Sequence, residues 1–362
     1  MTKAAELAKM GEVLTNSQIG GRRNIIINGA MQVAQRGTSS TSNGFLLDRF
    51  NIQNVSDGAF SATQDSSAPT GFENSLKIEV TTADTSLSAT QNLRCEYRVE
   101  GKDMFYLDWG TSNAKTITLS FYVKSSLTGT FSGAINNSDF NRAYPFTYTI
   151  SSANTWEYKT VKIDGDTTGT WLVTNGIGMN ICWSLGAGSS RVGTADAWAA
   201  VNVQGVSGQV ELIGTVNATW QLTGVQLELG EQATPFEHRS FGEELALCQR
   251  YLYYIVQGGS TGDNMVHIGR GNSNSSVRFI VTSAVPLRAS PTVTNSGGSG
   301  FRVKRGDSGT TIGDTTNAAT VLNFTPNSNQ VLLTLDISGA TDNKIFGVTT
   351  ISSSEFSLEA EL

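Results

Sequence analysis

Residues 116–125 read TITLSFYVKS, and apolar and polar side chains alternate along the whole stretch. Successive side chains of a β-strand point to opposite faces of a sheet, so the pattern predicts a strand with one buried face. The predicted inward residues are Ile117, Leu119, Phe121 and Val123. The same alternation occurs at residues 75–80 (SLKIEV) and 178–186 (GMNICWSLG). These segments favour a fold made of half-buried strands.

A strand is also predicted at residues 219–230 (TWQLTGVQLELG), but its apolar pattern changes phase at Gly224. Trp220 and Leu222 share one face. The apolar residues that need the opposite parity are Val225, Leu227 and Leu229. A β-bulge at the glycine would bring both sets to the same side of the sheet.

The composition favours an all-β protein. Only 15% of the 362 residues are charged, and the chain has 38 glycines but 6 prolines. Gly and Asn supply left-handed turn positions, and Thr suits a pleated surface. Many short strands joined by Gly-rich turns predict a β-sandwich of the jelly-roll type.

The chain is long enough for two domains. Residues 1–23 are predicted to form an N-terminal helical attachment segment, because residues 1–14 carry apolar side chains at helical spacing. Residues 24–238 would form the jelly roll and residues 257–362 a second β-rich domain. All six tryptophans lie between residues 109 and 220, which supports this division.

A connecting helix is predicted over residues 239–256. Ser240 and Glu243 have the spacing of a capping box, in which each side chain bonds a backbone amide near the other residue. The predicted buried stripe of the helix consists of Leu245, Cys248, Tyr251, Leu252 and Ile255.

Charge and cysteine content exclude several classes of protein. The net charge of −6 argues against nucleic-acid binding, which needs basic patches. The basic cluster Arg302, Lys304 and Arg305 is interpreted as a solvated strand face. Three distant cysteines form neither a disulfide framework nor a metal-binding spacing, which favours synthesis in a reducing cytoplasm. No apolar run has the roughly 18 residues of a membrane span, and no signal peptide is expected.

The catalytic motifs in the sequence are weak. Residues 258–262 fit G-x-S-x-G, but they follow a helix and precede a strand, so a loop is the better interpretation. The histidines, His238 and His267, lack partners for a zinc site or a catalytic triad. Asp164 and Asp166 could form a tight turn, a structural Ca²⁺ loop or a glycosidase carboxylate pair. The turn is preferred, and no cofactor other than this Ca²⁺ is expected.

Strand phase separates the tryptophans into two groups. Trp183 and Trp220 have the inward parity and are predicted to be core residues. The loop-borne set, proposed as ligand-stacking platforms, is Trp109, Trp171 and Trp198. The alternative is that these large side chains plug an end of the sandwich.

Several stretches resemble a family of tailed-bacteriophage virion proteins, the tail fibre or receptor-binding proteins of marine and cyanobacterial phages. The most specific block is GEELALCQRY at residues 242–251. The other matching stretches are residues 24–40, LDRF at 47–50, TLSFYVKSS at 118–126, GDTTGTW at 165–171, 220–254, PLRASPTVT at 286–294 and FSLEAEL at 356–362. The resemblance implies a carbohydrate-binding-module-like jelly roll, a β-rich C-terminal domain and a homotrimer.

Residues 24–37 (NIIINGAMQVAQRG) are interpreted as an architectural motif. The three isoleucines at 25–27 would form a first strand that closes the sandwich. Asn28 and Gly29 would supply a position that tolerates positive φ. Arg36 would pair with Asp48 or Glu228 at the start of the sandwich.

These observations lead to one functional hypothesis and two alternatives. The hypothesis is a non-enzymatic phage virion protein that recognises a host surface polysaccharide and contacts other virion proteins through residues 1–23. It would be made in the host cytoplasm and released by lysis, without membrane insertion. The first alternative is a capsid or tail decoration protein that binds only other virion proteins. The second is a polysaccharide depolymerase, although no internal repeat is visible.

Overall fold

A computed structural model describes residues 23–256, 264–273, 275–296, 301–305, 311–315, 320–324, 329–337, 344–350 and 355–362. The helix expected within residues 1–14 and the loop at 258–262 lie outside these ranges. At His267 the structure describes the backbone and not the side chain. The chain divides after Glu244 into two compact units. Both units are built mainly from antiparallel sheets, the exception being the short parallel pair formed by residues 192–193 and 205–206 in the first unit. The described residues contain one α-helix.

The first unit contains fourteen strands in its described residues. They are β1 (Ser39–Ser40), β2 (Gly44–Phe45), β3 (Phe50–Asn54), β4 (Ala59–Asp65), β5 (Ser75–Thr82), β6 (Asn92–Glu100), β7 (Ile117–Ser125), β8 (Gly129–Asn136), β9 (Ala143–Ile150), β10 (Glu157–Ile163), β11 (Ile177–Ala187), β12 (Val192–Gly193), β13 (Gly205–Val206) and β14 (Thr219–Leu229). Short 3₁₀ turns occur at Gly101–Asp103, Phe105–Leu107, Ser189–Arg191 and Leu212–Gly214.

Two six-stranded sheets form a β-sandwich of the jelly-roll type, as the alternation predicts. Sheet 1 has the order β1-β4-β5-β14-β7-β10, and sheet 2 has the order β2-β3-β6-β11-β8-β9. Their inner faces share one hydrophobic core. The predicted inward side chains of β5, β7 and β11 are all buried in this core.

The phase change at Gly224 is a β-bulge, as the sequence predicts. The register of β14 against β7 shifts between Thr223 and Gln226, and Gly224 has a φ of 61°. Leu222 before the bulge and Val225 after it are both fully buried. The bulge therefore turns the apolar side chains before it and those after it towards the same core.

Residues 24–27 lie beside β14 but do not form a strand, which corrects the expected first strand. Ile25 donates its backbone N–H to the Leu227 carbonyl at 2.9 Å. The side chain of Asn24 accepts from the backbone N–H groups of Ile26 and Leu227, so a regular ladder does not form. The three isoleucines are nevertheless buried.

Asn28 adopts the left-handed conformation that the Asn-Gly pair predicts, with a φ of 61°. Its side-chain amide donates to the carbonyls of Val33 and Asp48. Arg36 lies 3.9 Å from Asp48. Glu228 instead lies 3.6 Å from Arg23, so Asp48 and not Glu228 pairs with Arg36.

Hydrogen bonds tie the start of the sandwich to the segment that follows its last strand. Glu237 accepts from the backbone N–H groups of Arg23 and Asn24. Arg239 donates to the carbonyl of Ile26 at 3.0 Å. These contacts join residues more than 200 positions apart in the sequence, and we call them the clasp.

The α-helix, α1 (Phe241–Gln249), begins with the predicted capping box. The Ser240 N–H donates to Glu243 at 3.0 Å, and the Glu243 N–H donates to Ser240 Oγ at 3.3 Å. The helix ends well before residue 256, which corrects the predicted extent. The aromatic and β-branched residues that follow it form a strand, because such side chains suit a sheet.

The second unit, Leu245–Glu361, carries ten strands in its described residues. They are β15 (Leu252–Val256), β16 (Asn264–Ser273), β17 (Ser276–Thr282), β18 (Thr292–Ser296), β19 (Phe301–Arg305), β20 (Thr311–Thr315), β21 (Thr320–Phe324), β22 (Gln330–Asp336), β23 (Ile345–Thr350) and β24 (Glu355–Glu359). The sheet orders are β15-β24-β18 and β20-β19-β23-β16-β17-β22-β21.

Alternating residues of β17 and β22 form the core of the second unit. This core includes the predicted inward side chains Val277, Phe279, Val281, Val331, Leu333, Leu335 and Ile337. The basic cluster of residues 302–305 lies on β19, on a strand as predicted. The sequence pattern therefore identified the buried face of this unit too.

Candidate functional site

A groove of about 480 Å³ opens on the outer face of sheet 1. Its lining combines aromatic rings with hydroxyl groups, and all of it belongs to the first unit. The lining residues are Phe72, Ser120, Tyr122, Tyr158, Gly224, Ala233, Thr234, Pro235, Phe236 and His238. We call this site the aromatic groove.

Strand phase explains why β7 and β10 supply the floor. Ser120 and Tyr122 alternate with buried Leu119 and Phe121, so they point away from the core. Tyr158 on β10 is the register partner of Tyr122. The two tyrosine rings lie 4.9 Å apart between centroids and form one aromatic surface.

Two connecting segments supply the walls. Phe72, between β4 and β5, lies 5.5 Å from Tyr122 between ring centroids. Phe236 and His238 follow β14 and lie 5.0 Å and 5.3 Å from Phe72. Tyr158 remains 45% exposed, so a ligand can reach this ring.

The bulge at Gly224 makes room for the rings. A Cβ atom at this position would lie 2.8 Å from Cζ of Phe72 and 2.9 Å from Cδ2 of Tyr122. Distances of this kind are too short for carbon atoms in contact. The glycine is therefore needed for both the positive φ and the shape of the groove.

A buried carboxylate fixes the wall formed by residues 233–236. Glu228 has a side chain that is only 2% exposed. It accepts from the backbone N–H and the hydroxyl of Thr234 at 2.8 Å and 2.7 Å. Gln226 donates a third bond at 2.9 Å. The wall is thus held by charge-assisted hydrogen bonds, the stronger kind.

The hydroxyl of Tyr158 stays protonated at neutral pH. Burial raises its pKa, a hydrogen bond with Ser120 partly opposes this, and the charge of Glu228 raises it further. The net pKa is above the ordinary tyrosine value. Tyr158 therefore offers a ring face and a hydrogen-bond donor together.

The chemistry of the groove suits a ligand that combines apolar C–H faces with hydroxyl groups. Aromatic rings supply apolar contact area, and Ser, Thr and Tyr hydroxyls both donate and accept hydrogen bonds. None of the ten lining residues is Asp or Glu. The lining thus has no carboxylate pair for acid–base chemistry.

The three tryptophans that sequence analysis singled out form one cluster elsewhere in the first unit. Trp109 lies 4.7 Å from Trp171 and 5.3 Å from Trp198 between ring centroids, in edge-to-face arrangements. Trp109 is 6% exposed and Trp171 is 7% exposed. This corrects the expectation that both present open faces, because they pack into the core. Trp198 is partly exposed, and ligand contact there stays a prediction.

Asp166 is engaged by protein donors, and these leave little capacity for Ca²⁺. Arg142 donates to both of its carboxylate oxygens, at 2.9 Å and 2.5 Å. Trp171 Nε1 donates a third bond at 3.1 Å. Burial would raise the pKa of Asp166, but these hydrogen bonds hold it below the usual value.

Asp164 points elsewhere and is 76% exposed, 3.5 Å from Lys162. The two aspartates therefore fit neither the Ca²⁺ loop nor the glycosidase pair. Across the described ranges, no group of three or more His, Cys, Asp or Glu side chains is placed to hold a metal ion. Nor does any helix in those ranges have the length and apolar character needed to cross a bilayer.

The three cysteines are free, buried thiols. Burial raises the pKa of Cys182 to about 12 and raises that of Cys95 well above its usual value. A thiol is a nucleophile only as the thiolate, so these two groups are chemically inert at neutral pH.

The sequence pattern does not predict the aromatic groove as a site. The alternation of residues 116–125 puts Tyr122 on the outer face of its strand, where a large aromatic side chain among Thr and Ser is a usable signal. Phe72 and Phe236 carried no comparable signal, because they lie on connecting segments with no regular side-chain period. Their meeting depends on contacts between distant parts of the chain.

Neither a protein-family model nor a curated protein sequence matches this chain. Several solved structures do. A sugar-binding protein from Bacteroides thetaiotaomicron, described as putative, matches 57% of this chain and 100% of its own with a TM-score of 0.34 and 12% identity. The family 61 carbohydrate-binding module TmCBM61, solved with β-1,4-galactotriose, matches 58% of this chain and 100% of its own with a TM-score of 0.30 and 9% identity.

The third structure is the enzymatically active domain of tailspike protein 4 from bacteriophage CBA120. It matches 57% of this chain with a TM-score of 0.32 and 11% identity. This chain spans only 21% of that tailspike chain. Similarity at these levels does not identify a function.

Proposed function

We propose that this chain is a non-enzymatic phage virion protein, of the tail-fibre or receptor-binding type, and that it binds a host surface glycan in the aromatic groove. The observation that carries the binding proposal is the groove itself, where Tyr158 and four other aromatic side chains surround an open volume. The virion role is supported by the sequence resemblance of residues 24–362.

The binding mode follows from the two chemical faces of a pyranose. Its axial C–H groups form an apolar patch that stacks on an aromatic ring, and its hydroxyls need donors and acceptors. Tyr158 offers the exposed ring, with Tyr122 beside it. Tyr158 also supplies a hydroxyl, and the buried Ser120 bonds to it and helps to orient it.

Two observations support binding without catalysis. The groove contains no carboxylate, and the aspartates at 164 and 166 do not converge on a common point. A shallow site of this kind binds one sugar unit weakly. A homotrimer, which the family resemblance implies, would raise the overall affinity through effective concentration.

The test uses the full chain and a panel of purified host surface polysaccharides. The variant Tyr158→Ala removes the exposed ring, and we expect about tenfold weaker binding, equivalent to about 1.4 kcal/mol. Phe105→Ala is the matched control, because Phe105 is 63% exposed and lies outside the groove. Isothermal titration calorimetry would measure both.

Equal loss of affinity in both variants, or none in Tyr158→Ala, would contradict binding in the groove. Competition with whole phage for adsorption to host cells tests the virion role. A receptor-binding protein blocks adsorption, whereas a decoration protein that contacts only other virion proteins does not. Release of new reducing ends from the polysaccharide would indicate a depolymerase instead.

A further inference from the structure

The charges around the aromatic groove constrain which sugars can enter it, if the proposed glycan binding is correct. No lining residue is Asp, Glu, Lys or Arg. His238 is the one lining side chain that can become cationic. A carboxylated sugar would therefore find no permanently charged cation in the lining to replace the water around its charge.

The carboxylate behind the wall is negative and close to the lining. Glu228 bonds directly to Thr234, a lining residue, and its charge acts on the hydroxyl of Tyr158. Arg23 offsets part of this charge from 3.6 Å, and its side chain is 27% exposed. A second negative charge in the groove would still be repelled by Glu228, since the site is partly desolvated.

The lysines on the same outer face are already engaged. Lys124 on β7 donates to Ser67 Oγ at 2.7 Å and lies over the ring of Trp156. Lys162 on β10 lies 3.4 Å from Glu231 and 3.5 Å from Asp164. Neither amino group lies in the lining of the groove.

We infer that the aromatic groove selects uncharged pyranose units and rejects sugars that carry a carboxylate. This inference rests on the proposed function and adds the class of sugar that the groove accepts. Rejection comes from an uncompensated charge, while the aromatic faces and hydroxyls bind the neutral ring.

The test compares matched oligosaccharides that differ only in the carboxylate. The probes are trimers of galacturonate, glucuronate and mannuronate, each paired with its carboxyl-reduced form. We expect the neutral member of any pair that binds the full-length chain to bind about tenfold or more tightly than the acidic one at low salt. Calorimetry or an immobilised-glycan assay would measure the ratio.

A surface variant sharpens the test without altering the groove. Thr160 is exposed on β10 and is the register partner of Ser120. Thr160→Lys places a cation beside the groove and should reduce the preference for the neutral sugar at least threefold. Thr160→Gln, which adds length without charge, should leave the preference unchanged.

The two proposals fail in different ways. If acidic and neutral trimers bind equally and Tyr158→Ala weakens both, the groove binds glycan but the selectivity inference is wrong. If Tyr158→Ala leaves the binding of every trimer unchanged, or no trimer binds, the groove is not the glycan site and both proposals fail.

Discussion

The first unit contains two groups of aromatic side chains with opposite surroundings. In the tryptophan cluster, Trp109 and Trp171 meet edge to face and are almost fully buried. In the aromatic groove, Tyr122 and Tyr158 lie side by side on an outer sheet face, and Tyr158 is open to solvent. Both places are rich in aromatic rings, but two of the three cluster rings are buried and only Trp198 is partly exposed.

Hydrogen bonding separates the two groups further. The indole N–H groups of the cluster already have acceptors: Trp109 donates to the Lys115 carbonyl at 2.8 Å and Trp171 donates to Asp166. In the groove, Ser120 is buried and bonds to Tyr158, but Tyr158 is 45% exposed and brings its hydroxyl to the lining. The comparison teaches that a stacking site needs open ring faces and reachable polar groups together, and four substitutions test it.

The largest effect is expected for Trp171→Ala. Removing a buried tryptophan side chain leaves a cavity in the core, so we expect a loss of about 3–5 kcal/mol in the free energy of unfolding. Chemical denaturation would measure it. Trp198→Ala is the control, because Trp198 is partly exposed and should cost less. A loss below about 1 kcal/mol for Trp171→Ala would show that the cluster is not part of the core.

Asp166→Asn should remove about 2 kcal/mol at neutral pH, because a charge-assisted pair with Arg142 is lost. The pKa of Asp166 is lowered in the folded state. Its stabilising effect is therefore complete above the unfolded-state value of about 3.9 and is lost as the pH falls through the lower native value. Denaturation between about pH 2 and 7 should show the two proteins converging in acid, whereas a constant difference would contradict the linkage.

Gly224→Ala should affect both stability and binding. The strained φ of 61° costs the variant about 1–2 kcal/mol, and the new methyl group displaces Phe72 and Tyr122. We expect glycan affinity to fall about fivefold, a free-energy change of about 1 kcal/mol. Gly208→Ala is the matched control, because Gly208 has a φ of 81° but nothing within 4 Å of its Cβ position. Equal binding by the two variants would contradict a groove shaped by Gly224.

Tyr158→Phe should give the smallest effect. It keeps the stacking ring and removes one hydroxyl, so we expect binding to weaken about twofold to threefold and stability to change by less than about 0.5 kcal/mol. Calorimetry with the glycan used for Tyr158→Ala would compare the two variants. A Phe variant as weak as the Ala variant would show that the hydroxyl, and not the ring, carries the binding.

The regular strands could be read from the sequence because their side-chain period is fixed. Alternation identified the buried faces of β7, β11, β17 and β22, and the phase change located the bulge at Gly224. The same logic placed Trp183 and Trp220 in the core. Each of these inferences needs only neighbours in sequence.

The loops and the site could not be read in this way. Trp109 and Trp171 lie outside the strands, so no period assigned them to a face, and their burial depends on packing against each other. The groove depends on Phe72, Tyr122 and Phe236, which come from three separated segments. The helix was predicted too long because the stripe continued into Leu252, which the structure places on β15.

The clasp has a mechanical consequence, and a further bond from the Asn28 N–H to Glu244 lies beside it. The segment that follows the last strand of the sandwich is bonded to its first residues through the side chains of Glu237, Arg239 and Glu244. Tension applied between Arg23 and Glu244 would load these bonds before it reached the strands of the two sheets, because the bonds link the two ends of the sandwich. While these bonds hold, the strands and the aromatic groove that they support would carry little of the tension.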